Sequence, residues 1–319
     1  MSGKNVTEVR LADVAGIAAA ARILESGGLV AVPTETVYGL AARADSAEAV
    51  ARIYAAKGRP DFNPLIVHVR GVEQAERYVD WLPDAELLAE LVWPGPLTFV
   101  LPRKDHADLA EAVTAGLPTV ALRAPAHPVM RALLERIDFP LAAPSANRSG
   151  FISPTTAEHV LASLDGRIDM VLDAGPTEAG VESTILAIGR DGTWRELRPG
   201  PVDLDALHRH YRDTPYPRQA EAAGSRIEAP GQLASHYAPG KPVRLDALDA
   251  EPGEFLIGFG PVEGDCTLSA GGVLSEAASR LYACLHEAAR APQPRIAVAP
   301  VPEHGVGRAI NDRLRRAAA

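Results

Sequence analysis

The chain has 319 residues, enough for about two domains, each burying a core of its own. Its 32 Lys and Arg against 41 Asp and Glu leave a formal net charge of -9, which disfavours a broad grip on nucleic-acid backbone, since that needs clustered cations. Hydrophobic residues at 47% and charged residues at 23% match an ordinary globular chain and exclude disorder or a fibre.

Leu11, Val14, Ile17, Ala18, Ala21 and Leu24 recur at helical spacing, with Gly27 and Gly28 as a stop before an apolar strand at 29–32. A helix over 46–57, a strand at 65–69, a helix over 84–92 and a strand at 97–101 follow. The series continues with a strand at 119–123, a helix over 127–137, a strand at 141–143, a helix over 155–164 and strands at 168–172, 183–188 and 195–198. Strands alternating with helices predict an α/β domain around a central sheet over 1–210. From 212 to 233 the text loses both periodicities and turns rich in Pro, Gly, Ala and charge, so 211–240 reads as a linker. Strands at 243–245, 255–259 and 296–299 with helices over 275–290 and 308–317 then predict a smaller α/β unit over 241–319. The Gly-rich run 258–264 lacks the GxGxxG spacing and reads as a loop rather than a dinucleotide site.

Cys266 and Cys284 form no CxxC pair and stand near no His cluster, which predicts neither a disulfide framework nor a zinc site and suits a reducing cytoplasm. No signal-peptide pattern opens the chain, and no apolar run reaches the roughly 18 residues of a membrane helix.

Phosphate-loop, GxSxG, HExxH and kinase signatures are absent, so the chemistry must lie in rarer clusters near strand ends. Pro33-Thr34-Glu35-Thr36-Val37-Tyr38-Gly39-Leu40 offers hydroxyls and a carboxylate after a buried strand, though an ordinary turn has the same pattern. Lys57 and Arg59 end a helix, where cations suit the dipole, and with Asn63 and the strand residue His68 they also make an anion platform. Trp93-Pro94-Gly95-Pro96 precedes Thr119 and Arg123, which share one strand face; an Arg at a strand end is a bidentate clamp for carboxylate or phosphate. Pro144-Ser145-Ala146-Asn147, Ser153-Pro154-Thr155, Val181-Glu182-Ser183-Thr184 and Leu197-Arg198-Pro199-Gly200 combine small polar residues with turn formers.

Together PTETVYGL (33–40), KGRPDFNPLIVH (57–68), WPGPLTF (93–99), TVALR (119–123), APSAN (143–147), VESTI (181–185) and LRPGP (197–201) resemble the YrdC-domain family. The HYAP run at 236–239 is similar to its longer threonylcarbamoyl-AMP synthases, which carry a small C-terminal domain after a linker. The resemblance implies a YrdC-like twisted open sheet with flanking helices and a Rossmann-like second domain. It implies a nucleotidyltransferase that makes L-threonylcarbamoyl-AMP and pyrophosphate from L-threonine, bicarbonate and Mg²⁺-ATP. The product would pass to a separate tRNA threonylcarbamoyl transferase complex that modifies adenosine 37, without stable tRNA binding and without a membrane. Thr34, His68, Arg123, Ser145 and Ser183 would hold threonine. Lys57, Arg59, Asn63, Thr119, Asn147, Ser153, Arg198 and Tyr237 would hold ATP, and no protein ligand to the metal is expected. The alternatives are an RNA-binding, translation-associated module and a carbamoyl-transfer enzyme. The acidic balance weighs against the first, and the lack of acylphosphatase-like and zinc-finger segments against the second.

Overall fold

A computed structural model describes residues 6–210, 227–232 and 236–319, so most of the linker expected at 211–240 lies outside the described residues. β1 (Glu8–Leu11) leads into α1 (Val14–Glu25), whose N-cap Asp13 accepts from the Gly16 amide at 2.7 Å. β2 (Val30–Val32) and β3 (Gly39–Arg43) flank the PTETVY loop. α2 (Ala47–Lys57) starts on the Ser46 side chain and stops at Gly58, whose φ of 60° is the left-handed conformation that glycine adopts freely. Then come β4 (Ile66–His68), α3 (Val72–Ala75), α4 (Pro83–Val92), β5 (Leu97–Pro102), α5 (Glu111–Thr114) and β6 (Thr119–Arg123). α6 (Pro128–Leu134), β7 (Leu141–Ala142), α7 (Ala157–Leu164), β8 (Met170–Asp173), β9 (Thr184–Ile188), β10 (Trp194–Arg198) and α8 (Leu204–His210) complete the first unit.

The strands form one mixed ten-stranded sheet in the order β1-β8-β2-β3-β7-β4-β6-β5-β9-β10. One face packs Leu40, Val67, Phe99 and Leu122 against α2 and α4; the other packs Val30 and Met170 against α1 and α6 through Ile17, Leu24 and Leu133. The expected α/β architecture is present, with two strands that periodicity did not reveal. β3 is an Ala-rich segment without alternation, extended because β2 and β7 both pair with it. β1 shows four exposed residues and is a strand only through its pairing with β8.

The second unit holds β11 (Val243–Arg244), β12 (Glu254–Gly258), β13 (Cys266–Thr267), α9 (Leu274–Arg290), β14 (Arg295–Val298) and α10 (Gly307–Ala317). Its sheet, β11-β14-β12-β13, is wholly parallel. α9 covers it with Ala278, Leu281, Tyr282, Leu285 and Ala288, the 3-and-4 spacing of one helix face. The glycine run 258–264 is a closed turn: a Cβ on Gly258 would stand 2.3 Å from the Val262 carbonyl oxygen. Both cysteines are free. Among the described residues no helix is long and apolar enough to cross a membrane, and no His, Cys, Asp or Glu group could hold a metal.

Phe99 is fully buried in β5, with ring centroids 5.0 Å from Trp93 and 6.0 Å from Trp81. Phe99→Ala is expected to lower the unfolding free energy by about 3–5 kcal/mol in a denaturant titration, while the same change at exposed Phe62 shifts it by less than about 0.5 kcal/mol.

Candidate active site

The loop from β2 to β3 is tied down by one hydroxyl. Thr34 Oγ1 accepts from the amides of Thr36 and Val37 at 3.2 Å and donates to the Val37 carbonyl at 2.6 Å, which holds the loop at the sheet rim. Opposite it, β4 and β6 run parallel with His68 in register with Arg123, so the two side chains stand side by side on one face. Thr34, Thr36, His68, Arg123, Ser145 and Ser183 meet in a cavity of about 540 Å³ including its open mouth, together with Arg59, Glu182, Arg198, His236 and Tyr237. Val37, Ile66 and Ala143 give that wall an apolar patch.

Three arginines supply its charge. Arg59 donates to the carbonyls of Asn63 at 3.2 Å and Pro64 at 2.9 Å, and burial, with Arg198 nearby, lowers its pKa to about 10. Arg198 donates to the Ser183 carbonyl from Nε and Nη2 and to the Pro230 carbonyl from Nη1. Arg123 donates Nε to the Gly95 carbonyl and Nη1 to Thr36 Oγ1 at 2.9 Å, while Nη2 lies 2.5 Å from Glu35 Oε1. That last contact is one of charge: neither Nη2 nor either Glu35 oxygen has an aligned hydrogen-bond partner. Burial, the largest influence, pushes the Glu35 carboxyl up, but the Arg123 guanidinium together with the backbone of Glu35 and Ala126 leaves the pKa below the ordinary value.

All five residues expected on threonine line this cavity, and so do Arg59, Arg198 and Tyr237 from the nucleotide set. The others stand outside its wall. Lys57 Nζ is buried against the carbonyls of Ser145 and Asn147, and burial beside Arg59 holds its pKa well below the usual lysine value. Asn63 is 1% exposed with both amide atoms unpartnered; Asn147 spends its Nδ2 on the carbonyls of Arg148 and Phe151. Ser153 Oγ donates to Glu182, and Thr119 sits at the far end of β6, opposite Pro102. Tyr237 is 1% exposed with φ of 63°, a left-handed conformation that non-glycine residues rarely hold, and its ring packs on His236, Tyr282 and Arg313.

Sequence reasoning assigned no role to Glu35, Thr36 or Glu182, although their motifs were singled out. It missed Tyr282 and Arg313 altogether, both of which reach Glu182 from the second domain. The signal for Arg313 is its spacing, since it falls on the same helix stripe as Ile310, Leu314 and Ala317. Among the described residues no hydroxyl in the cavity wall is hydrogen-bonded to a histidine; Ser183 Oγ instead meets Thr98 Oγ1 at 2.7 Å and Arg198 Nη2 at 3.1 Å. The arginines and hydroxyls of this wall can bind and orient an anion.

The family model Sua5_yciO_yrdC, described as Telomere recombination, matches residues 22–200, and the one described as Threonylcarbamoyl-AMP synthase, C-terminal domain, matches residues 202–319. The chain belongs to the Sua5/YrdC family. The threonylcarbamoyl-AMP synthase of Bacillus subtilis is 40% identical, covering 95% of this chain and 92% of its own length. That of Pyrococcus abyssi is 39% identical over 93% and 92%. The crystal structure of P. abyssi Sua5 complexed with L-threonine matches with a TM-score of 0.86 at 36% identity, covering 98% of this chain and 97% of that one. The family resemblance carried by the seven motifs therefore extends through both domains, including the one with few recognisable motifs.

Burial holds four histidines of this family member neutral: His68, His236 and His286 at a pKa of about 3 and His159 at about 4, against an ordinary 6.5. Below pH 6.5 the unfolded chain takes up protons that the native chain refuses, so their contribution to stability is complete above 6.5 and is lost as pH falls toward 3 to 4. Glu182 acts in the same direction below 4.5, since Arg313 and Arg198 overcome its burial and hold it at about 2. Melting curves followed by circular dichroism are expected to give a midpoint that is level above about pH 7 and falls steeply below about 6.5. A level midpoint down to about pH 4.5 would contradict this.

Proposed function

We propose that the protein joins L-threonine, bicarbonate and ATP into L-threonylcarbamoyl-AMP and releases pyrophosphate. The observation that carries this reading is one cavity in which the expected threonine residues and the nucleotide arginines meet, in a chain that matches two-domain threonylcarbamoyl-AMP synthases over nearly its full length.

Threonine's neutral amine attacks the carbon of bicarbonate, and water leaves to form a carbamate. A carbamate oxygen then attacks the α-phosphorus, and pyrophosphate departs with the electron pair of the broken P–O bond. A carboxylate, a carbamate and a triphosphate converge, so preorganised cations and donors supply the main stabilisation. Arg123, steadied by Thr36 and Glu35, offers its fork to the threonine carboxylate, with Thr34, His68, Ser145 and Ser183 as polar partners. His68 is neutral and keeps an unpartnered Nδ1 for this purpose. Choosing threonine over serine rests on one methyl, worth roughly 1–3 kcal/mol, and Val37, Ile66 and Ala143 form the apolar patch that receives it.

Arg59 and Arg198 face the phosphates, with Lys57, Asn63, Thr119, Asn147 and Ser153 behind them, and Tyr237 closes over the nucleotide. Magnesium would be held by the triphosphate itself and would offset its charge; Glu182, the acid in the cavity wall, has both oxygens engaged by Ser153, Tyr282 and Arg313 and would not be needed as a ligand. In this reading the enzyme works in the cytoplasm, forms no stable tRNA complex, and passes its adenylate to a separate transferase complex acting on adenosine 37.

Supplied with threonine, bicarbonate and Mg·ATP, the protein is expected to yield pyrophosphate together with a new adenylate; ATP cleavage indifferent to threonine would sink the reading. Arg123→Lys keeps the charge but loses the fork, and is expected to raise the KM for threonine about 10- to 100-fold while changing that for ATP much less.

A further inference from the structure

Glu182 precedes Ser183 at the entry to β9 and is 6% exposed. Its Oε1 accepts from Ser153 Oγ at 2.5 Å and the Tyr282 hydroxyl at 3.0 Å; its Oε2 accepts from the same hydroxyl at 2.8 Å and from Arg313 Nε at 3.0 Å. Tyr282 lies on α9 and Arg313 on α10, both in the C-terminal domain. Arg313, fully buried, also donates Nη1 to the Pro199 carbonyl at 2.7 Å and Nη2 to the Glu182 carbonyl at 3.4 Å. One guanidinium thus grips residues 182 and 199, the immediate neighbours of Ser183 and Arg198. Those two line the cavity and are bonded to each other. Gly200 lets the two segments touch: a Cβ there would stand 2.2 Å from the Thr184 amide.

On the reading of the cavity as a synthase site, we propose that Arg313 and Tyr282 are positioning residues for the reaction, acting through Glu182 and Pro199 to set Ser183 and Arg198 for threonine and ATP. Docking alone does not require them, because apolar residues of similar volume hold two surfaces together as well as a buried ion pair does. What the polar cluster adds is direction. It fixes the segments at whose ends the ligand-facing groups stand, and it keeps the Glu182 oxygens engaged, so an incoming triphosphate meets Arg198 rather than a free carboxylate. The charged and titratable groups facing Glu182 are Arg198 from β10, Arg313 from α10, Tyr282 from α9, and His236 and Tyr237 from the linker end, with Asp312 paired to Arg313 behind them.

The test uses the full chain with Tyr282→Phe, Arg313→Met and the double variant Glu182→Gln/Arg313→Met. It reads kcat/KM for ATP and for threonine per folded molecule against pH. Tyr282→Phe is expected to lower both values about three- to tenfold with little change in melting temperature. Arg313→Met is expected to lower them about a hundredfold and to add an acid limb, because Glu182 without its cation takes up a proton at higher pH; adding Glu182→Gln removes the limb. Parent values in the single variants, or losses that follow only the folded fraction, overturn the proposal. If Arg313→Met does not fold, Tyr282→Phe decides by the same two outcomes. A parent enzyme that makes no adenylate overturns the synthase reading itself, so the two failures are distinguishable.

Discussion

The buried pair between Glu182 and Arg313 is the contact on which the rest of the site depends. Withdrawing two charges from water costs several kcal/mol per ion, and losing either partner of such a pair typically costs about 3–5 kcal/mol. The structure meets that penalty by satisfying the carboxylate with Ser153 and Tyr282 and the guanidinium with the Pro199 carbonyl and Asp312. The two domains are thereby joined at one wall of the cavity. The left-handed backbone of Tyr237 persists beside this cluster, with its ring 5.6 Å from the Arg313 guanidinium and 5.7 Å from the Tyr282 ring.

A second constraint is charge. An acidic chain prepares a place for polyanions by surrounding a few cations with neutral acceptors. Arg59 is held by the carbonyls of Asn63 and Pro64, Arg198 by those of Ser183 and Pro230, and Lys57 by those of Ser145 and Asn147. Carbonyls orient these groups without cancelling their charge, while burial, reinforced by the neighbouring arginine, lowers the pKa values of Arg59 and Lys57. Net charge bears on long nucleic acids, which contact much of a surface, and says little about a small anion drawn to a pocket. Arg123 differs from the other cavity arginines, since Glu35 stands against it. That acid holds the guanidinium in place at the cavity wall.

Much of the architecture is legible in the sequence. Apolar runs bounded by Gly and Pro marked β2, β4, β5, β6 and β9, and the 3.6-residue period marked α1, α2, α9 and α10, because burial on one face leaves a local trace. β1 and β3 left none: one is exposed, the other is a five-residue segment without alternation, and both are strands only through their neighbours. The motifs likewise announced Thr34, His68, Arg123, Ser145 and Ser183, each beside a strand end.

What the amino-acid order determined by itself is most of the elements, the family and the groups available for chemistry, since these depend on local spacing and residue type. Only the tertiary structure decided which groups share a wall. Parallel register places His68 beside Arg123, although 55 residues separate them in their numbering. The pairing of Glu182 with Tyr282 and Arg313, at sequence separations of 100 and 131, was invisible because an arginine on a helix stripe carries no mark of its distant partner. A buried carboxylate must find its counter-charge wherever the fold brings one, and here it comes from the other domain.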